Sequence, residues 1–113
     1  MIEMTVREYL KRMTELPTYS EEPDKPVPAR YLVIEKTGSS AEENCLFTSM
    51  IAIKSYGTGM LDSMQLNEEV KEAMFLITTE PDVTDISLNS DYNFSDTLKK
   101  KYRYQAVFDI THY

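Results

Sequence analysis

The chain has 113 residues, which is enough for one domain with a single hydrophobic core. Nineteen acidic residues against twelve basic ones give a net charge of −7, which argues against general binding to nucleic acid or to anionic membrane surfaces, because both need cationic patches. Cys45 is the only cysteine, and the sequence has neither the apolar core of a signal peptide nor an apolar run long enough to span a membrane. We therefore expect one domain over residues 1–113, made and kept soluble in a reducing cytoplasm.

The first predicted element is an amphipathic helix. Thr5 and Glu8 have the spacing of a capping box, which places the start of the helix at Thr5. Apolar side chains then recur at steps of three and four residues: Val6, Tyr9, Leu10, Met13 and Leu16. Pro17 ends the helix, since proline disrupts the helical hydrogen bonds and clashes with the preceding turn.

A proline-rich and acidic segment follows, from Thr18 to Pro28. Its prolines favour extended backbone, and its carboxylates bury little surface. Two interpretations stay open. The segment is either a solvated connector or an arm that binds a partner, because loops of this length are uncommon without a role.

Two β-rich runs, residues 29–36 and 45–54, predict a hairpin joined by the stretch around Gly38. Apolar residues occur on both parities of each run, as in strands that are covered on both faces. The predicted core residues of the second strand share one parity: Phe47, Ile51 and Ile53. We interpret Cys45 as a small buried apolar residue rather than a nucleophile, because the sequence commits no base to it.

Residues 58–79 are helical in composition, but their apolar stripe changes phase. Met60, Leu61 and Met64 centre on one side of the helix, whereas Leu66, Val70, Ala73, Met74 and Ile77 centre on another. The helix starts either near Thr58, which we favour, or at Asn67 acting as a cap. Pro81 ends it.

Two strands complete the predicted order. Residues Val83 to Ser90 alternate between apolar and polar side chains and predict a strand with Ile86 and Leu88 turned inward. A basic run follows at Lys99 to Lys101, and such a run is typical of a solvated face that protects a sheet from edge pairing. Residues 101–113 then alternate without interruption and predict a long strand through the middle of the sheet. Its apolar face consists of Tyr102, Tyr104, Ala106, Phe108, Ile110 and His112.

These elements predict an α+β fold in the order αββαββ. Two helices on one face of a four-stranded, largely antiparallel sheet is the arrangement that buries every apolar stripe. We expect four side chains to lie beneath the helices: Phe47, Ile51, Phe108 and Ile110.

Three stretches carry a resemblance to a known family: Tyr-Leu-Val-Ile-Glu-Lys-Thr-Gly at 31–38, Met-Ile-Ala-Ile-Lys-Ser-Tyr-Gly at 50–57, and Tyr-Arg-Tyr-Gln-Ala-Val-Phe-Asp-Ile at 102–110. The chain resembles the small tail-completion and tail-terminator proteins of long-tailed bacteriophages, which close the tail tube or join it to the head. It lacks the alanine-rich opening of the second helix that is usual in that family.

The resemblance implies a minor structural protein of the virion with an α+β fold, no catalytic activity and no cofactor or metal. Proteins of this kind assemble as rings, commonly hexameric, and contact the tail tube protein and the head–tail connector proteins. The expected location is the tail or the head–tail junction, after assembly in the cytoplasm of a host bacterium. Contact with DNA should be transient, and no membrane is involved.

The surface needed for a ring is predicted from eight tyrosines, the proline-rich arm and strands that are apolar on both parities. We expect the segment from Thr18 to Arg30 to reach the adjacent subunit in a head-to-tail contact. The predicted interface residues are Tyr19, Glu21, Glu22, Arg30, Arg103 and Tyr104.

Other function classes have thin support. His112 is the only histidine and fits a strand end better than a catalytic base, and the aspartates at 82, 85, 91 and 96 lack the spacing of a calcium loop. The three glycines do not form a phosphate-binding loop. The alternative is a small interaction or RNA-binding module without catalytic activity, in which Tyr102 and Tyr104 stack on bases, although the net charge argues against RNA.

Overall fold

The first helix begins earlier than the capping box predicts. In the computed structural model, which describes residues 1–41 and 45–113, α1 spans Ile2–Thr14. The Thr5 hydroxyl lies inside the helix and donates to the Met1 carbonyl at 3.2 Å, so the predicted cap at Thr5 is wrong. The helix ends before Pro17, at Glu15, which has a left-handed backbone with a φ of 58°.

The sheet has five strands rather than four. They are β1 (Thr18–Tyr19), β2 (Tyr31–Ala41), β3 (Phe47–Gly57), β4 (Val83–Asn93) and β5 (Tyr102–His112), in the spatial order β1-β2-β3-β5-β4. The unpredicted strand, β1, is two residues long and pairs in parallel with Leu32 and Val33 of β2. The fold is therefore α+β with a mixed sheet. The β1–β2 pair is parallel, and the β2–β3, β3–β5 and β4–β5 pairs are antiparallel.

The hairpin of β2 and β3 is confirmed but is longer than predicted. Thr37 to Ser40, placed in the turn by the sequence, belong to β2: Thr37 lies at a bulge, and Gly38, Ser39 and Ser40 pair with β3. The strand β5 is confirmed as an interior strand, with β3 on one side and β4 on the other.

The second helix, α2, spans Met60–Phe75, so the longer of the two predicted helices is correct. Asn67 does not cap a helix. It lies buried within α2, and its side-chain amide donates to Asp91 of β4 at 2.6 Å, while Lys71 on the same helix lies 2.5 Å from the other Asp91 oxygen. A short 3₁₀ helix, Ile77–Thr79, follows before Pro81.

Both helices pack on one face of the sheet and bury one continuous core. The core side chains include Val6 and Leu10 of α1, Leu66, Val70 and Met74 of α2, and Leu32, Ile34, Ile51, Ile53, Phe108 and Ile110 of the sheet. Tyr9 of α1 joins the two helices, because its hydroxyl donates to the Ala73 carbonyl of α2 at 2.7 Å. Burial raises the pKa of Tyr9. Three of the four predicted core residues are fully buried, namely Ile51, Phe108 and Ile110.

The outer part of the β2–β3 hairpin extends beyond the helices. Every residue of β2 from Glu35 onward is exposed, and Phe47 keeps 42% of its surface exposed. Cys45, which precedes β3, is exposed as well. The predictions of a buried Phe47 and a buried Cys45 are therefore wrong, because only the first residues of α1 approach this end of the sheet, where Glu3 pairs with Lys36 at 3.8 Å.

The edge strand β4 is also less covered than predicted. It extends to Asn93, and Leu88 is 39% exposed because it lies next to a bulge at the edge of the sheet. Ile86, by contrast, packs against the core as expected.

Gly57 positions α2 against the end of β3. A Cβ atom at this residue would lie 2.5 Å from the Ser63 backbone nitrogen, so only glycine allows the first turn of α2 to approach the strand so closely. Neither α1 nor α2, the two α-helices in the part of the chain that is described, is long and apolar enough to cross a membrane.

Candidate functional site

The face of the sheet opposite the helices carries a second, smaller cluster of buried side chains. Strand parity puts Val33, Lys54 and Arg103 on this face together with three tyrosines. We call the tyrosines Tyr19, Tyr31 and Tyr56 the tyrosine platform. Tyr31 and Tyr56 face each other directly across β2 and β3, and only 5% and 4% of their surfaces remain exposed.

The platform is held together by ring contacts. The rings of Tyr31 and Tyr56 are stacked, with centroids 4.4 Å apart and planes 8° from parallel. Tyr19 presents its edge to Tyr31, with centroids 5.9 Å apart and an angle of 74°. Offset and edge-on arrangements of this kind are favourable for aromatic pairs, so the platform is a packed unit rather than three independent side chains.

Residues 20–30, which we call the arm, are attached to this platform through Glu22. The Tyr56 hydroxyl donates to one oxygen of the Glu22 carboxylate, and the Tyr31 hydroxyl lies 3.5 Å from the other. Burial, together with the neighbouring charge of Glu22, raises the pKa of Tyr31 to about 12. The base of the arm is therefore fixed to its own sheet.

Arg103 closes the platform on the side of β5. Its guanidinium donates to the Tyr56 hydroxyl at 3.3 Å and lies 4.5 Å from the centre of the Phe94 ring. Its Nε also donates to the Phe94 carbonyl at 2.8 Å. A cation stacked on aromatic rings and bonded to a carbonyl is well placed to fix the turn that follows β4 against the platform.

The structure brings together three of the predicted interface residues: Tyr19, Glu22 and Arg103. Glu21 is exposed on the arm. Arg30 is not part of the platform, because its Nε pairs with Asp62 of α2 at 3.2 Å, where hydrogen bonds from Thr58 and the charge of Arg30 lower the pKa of Asp62. Tyr104 shares the parity of Ala106 and lies on the helix side.

Sequence reasoning missed Tyr31, Tyr56 and Phe94 as members of this cluster. A signal for the first two was present, since Tyr31 shares its parity with Val33 and Tyr56 shares its parity with Lys54, away from the predicted core. Their direct pairing depends on the register of the hairpin, which the sequence does not define without the turn.

The sheet has two open edges whose strands run in opposite directions, so that the edge of one copy can pair antiparallel with the other edge of a second copy. β4 forms one edge along 11 residues. At the other edge, β1 pairs only with Leu32 and Val33, so β2 is open from Ile34 to Ala41 in the described part of the chain. Because β2, β3, β5 and β4 alternate in direction, β4 of one copy can pair antiparallel with β2 of another while the helices stay on the same side.

Opposite charges lie at one end of the two edges. The arm lies where β2 begins and carries Glu21, Glu22 and Asp24 together with Lys25 and Arg30. Arg30 is paired with Asp62 of α2, so the rest of the arm keeps a net negative charge. The turn between β4 and β5, residues 94–101, lies at the same end of the sheet, because Asn93 pairs with Tyr104 and Arg103 pairs with Tyr56. That turn carries three exposed lysines, Lys99, Lys100 and Lys101, so the predicted basic run lies beyond the edge strand and not along it.

The one serine–histidine contact in the described residues joins β3 to β5. Ser49 Oγ lies 2.7 Å from Nε2 of His112, whose Nδ1 lies 3.1 Å from the Tyr113 main-chain oxygen. In a neutral imidazole, an Nδ1 that donates to this oxygen leaves Nε2 to accept from the Ser49 hydroxyl. Ser49 is 1% exposed, so its hydroxyl is inaccessible to a dissolved substrate in this conformation.

Among the described residues, no group of three histidine, cysteine, aspartate or glutamate side chains could hold a metal ion. Comparison of the sequence with models of known protein families finds no match, and comparison with curated proteins finds none either. The open edges, the platform and the charged arm and turn are therefore the features from which function is argued.

Proposed function

We propose that the protein is a structural component of a long-tailed bacteriophage or prophage virion, which completes or terminates the tail tube and helps to join tail and head. It acts as a ring of identical copies, with six copies as the expected number, and it has no catalytic role. Its partners are further copies of itself, the tail tube protein and the head–tail connector proteins.

The observation that carries this proposal is the pair of open edges on one sheet. A strand edge with unpaired N–H and C=O groups is a template for another strand, and proteins commonly protect such edges with lysine or proline. β4 contains neither residue type between Val83 and Asn93, and the devices it does carry are two bulges and two aspartates, Asp85 and Asp91. Pairing β4 of one copy with β2 of the next is a head-to-tail contact, which generates a ring when the rotation between copies closes.

The charge of the chain is compatible with this role. A subunit of a passage that conducts DNA should not hold the DNA, and a net charge of −7 disfavours such retention. The RNA-binding alternative gains little from the geometry. Tyr102 and Tyr104 are on the helix side of the sheet, while Tyr31 and Tyr56 on the helix-free face are buried beneath the arm.

A proline scan of β4 tests the ring contact. Amides alternate along an antiparallel strand, so one of the substitutions Ser87→Pro and Leu88→Pro removes an amide that points toward β5 and the other removes one that points away. We expect the outward substitution to leave thermal unfolding nearly unchanged and to abolish the ring in native mass spectra recorded over a concentration series. The inward substitution is the matched control and should destabilise the monomer.

The role in the virion is tested separately, with tails assembled in the absence of this protein. We expect such tails to remain unjoined to heads and the purified protein to restore joining, whereas the outward proline variant should not. A folded outward variant that still forms full rings contradicts edge pairing. Tails that join heads normally without the protein contradict the proposed function.

A further inference from the structure

We propose that the acidic arm of one copy docks against the basic β4–β5 turn of the adjacent copy, so that a charged contact accompanies each strand pairing. This inference rests on the proposed ring and names the second surface through which its copies meet. The proposed binding partner of the arm is thus a second copy of this chain.

The placement follows from the topology. Because β1 occupies the edge of β2 at Leu32 and Val33, an incoming β4 can pair only with the part of β2 from Ile34 to Ala41. In the antiparallel arrangement, the end of β4 at Asn93 then points toward β1 and the arm. The turn that follows Asn93 in the copy that supplies β4 therefore extends beside the arm of the copy that supplies β2.

The platform presents the arm in a fixed position. Glu22 is bound by the hydroxyls of Tyr31 and Tyr56, so its carboxylate is used within its own copy. Glu21 and Asp24 flank it, are exposed, and have no cationic partner among the residues described. These two carboxylates are therefore free to receive an external cation.

The turn supplies the complementary charge. Lys99, Lys100 and Lys101 are exposed, and within the described chain none of their ammonium groups pairs with a carboxylate. Arg103 anchors the start of β5 on Phe94 and Tyr56, which fixes the turn relative to the sheet. Complementary charges of this kind select the partner and its register and speed up association.

Reciprocal charge reversal tests the contact. One variant carries Glu21→Lys and Asp24→Lys, another carries Lys99→Glu and Lys101→Glu, and a third carries all four substitutions. Lys100 is left unchanged because its backbone is left-handed, with a φ of 54°. Glu22 is left unchanged because the platform binds it.

We expect each two-site variant to form rings only at concentrations roughly tenfold higher than the wild type at low salt, because an attractive contact becomes a repulsive one. The four-site variant should recover the ring formation of the wild type. Raising the ionic strength should weaken the wild-type ring and reduce the difference between variants, since the Debye length shrinks from about 10 Å at 0.1 M salt to about 3 Å at 1 M. Native mass spectrometry and light scattering measure these shifts.

The control variant carries Glu69→Lys and Glu72→Lys, two exposed positions on α2 that change the net charge as much as the arm variant does. Rings of the control should match those of the wild type. If the arm variant and the control behave alike, or if the four-site variant fails to recover, the docking of arm and turn is wrong while the ring itself stands. If the wild type forms no ring at any concentration or on tails, both proposals fall.

Discussion

Tyr31 contacts both the sheet and the arm, and burial in these contacts raises its pKa. Its ring stacks on Tyr56, its hydroxyl faces the carboxylate of Glu22, and its surface is 5% exposed. The tyrosinate form is disfavoured there first by burial and then by the negative charge of Glu22. The neutral hydroxyl is consequently part of the folded structure.

The raised pKa of Tyr31 predicts a loss of stability in base. Unfolded tyrosine releases its proton near pH 10, whereas the folded protein retains the proton on Tyr31 up to a pKa of about 12. Between these values the native state binds more protons than the unfolded state, so the free energy of unfolding falls as pH rises. Below pH 10 this contribution is fully present.

We expect denaturant unfolding curves between pH 9 and 12 to show this fall in the wild type, and Tyr31→Phe to show less of it. Tyr113→Phe is the matched control, because Tyr113 is 65% exposed. Titration of tyrosinate absorbance in the folded protein should lose one tyrosine that ionises well above pH 10 in the Tyr31 variant and not in the control. A pH dependence identical in all three proteins would contradict the assignment.

Residue-level predictions from the sequence succeeded where parity alone decides the environment. Phe108, Ile110 and Ile51 are fully buried because each points to the helix side of the sheet and packs in the core that the helices cover. Phe47 shares the parity of Ile51 but is the first residue of β3, at a strand end that only the first turn of α1 approaches. Parity assigns a side chain to a face, and only the length and placement of the helices decide whether that face is covered.

At the scale of elements, β5 is the strand on which the core depends. It pairs along its length with β3 and β4 and places Ala106, Phe108 and Ile110 beneath the helices. Phe75 of α2 packs its ring edge-on to Phe108, with centroids 6.0 Å apart. Loss of the Phe108 ring therefore removes contacts between the sheet and α2.

Phe108→Ala should reduce the free energy of unfolding by about 3 to 5 kcal/mol, because it removes a fully buried ring and leaves a cavity. Phe47→Ala is the control on the same face of the neighbouring strand, and it should cost much less since Phe47 is 42% exposed. Urea denaturation followed by circular dichroism measures both values. Equal losses in the two variants would contradict the placement of Phe108 in the core.

The elements that the sequence predicted are the ones with a repeated pattern. Both helices, the β2–β3 hairpin and β5 have stripes or alternation over many residues, and each is present. β1 has two residues and no period, and it exists because Pro17 and Thr18 run beside β2, where the Leu32 amide donates to the Pro17 carbonyl at 2.9 Å. Such a strand is created by tertiary contact and has no local signal.

At the scale of the whole molecule, the described chain is elongated and measures 46 × 24 × 23 Å. Its candidate site draws on the arm, β1, β2, β3 and β5, which are distant in sequence. Tyr19, Glu22 and Arg103 could be predicted as surface residues of interest from composition and from the arm. Their position around Tyr31 and Tyr56 could not, because it depends on register and on the path of the arm.

Hydrogen exchange of the whole chain should separate the interior strands from the edges. In the monomer we expect the amides of β3 and β5 to be protected and those of β4 and of β2 beyond Ile34 to exchange faster, because their outward groups have no strand partner. Ring formation should slow exchange in those two edge segments and leave β3 and β5 unchanged. Mass spectrometry of peptides from both states measures this, and edges that exchange equally fast in the ring would exclude strand pairing.

The uncovered end of the β2–β3 hairpin has a further consequence for direction. Each copy has two unlike ends, one bearing the arm, the tyrosine platform and the lysines, and the other bearing Phe47 and bare strand. In a ring whose copies join side by side along their strands, all ends of one kind lie on the same rim. Such a ring is polar along its axis, and its two rims present different chemistry to whatever stacks above and below it. In the proposed role, these two rims are the surfaces that would face the tail on one side and the head on the other.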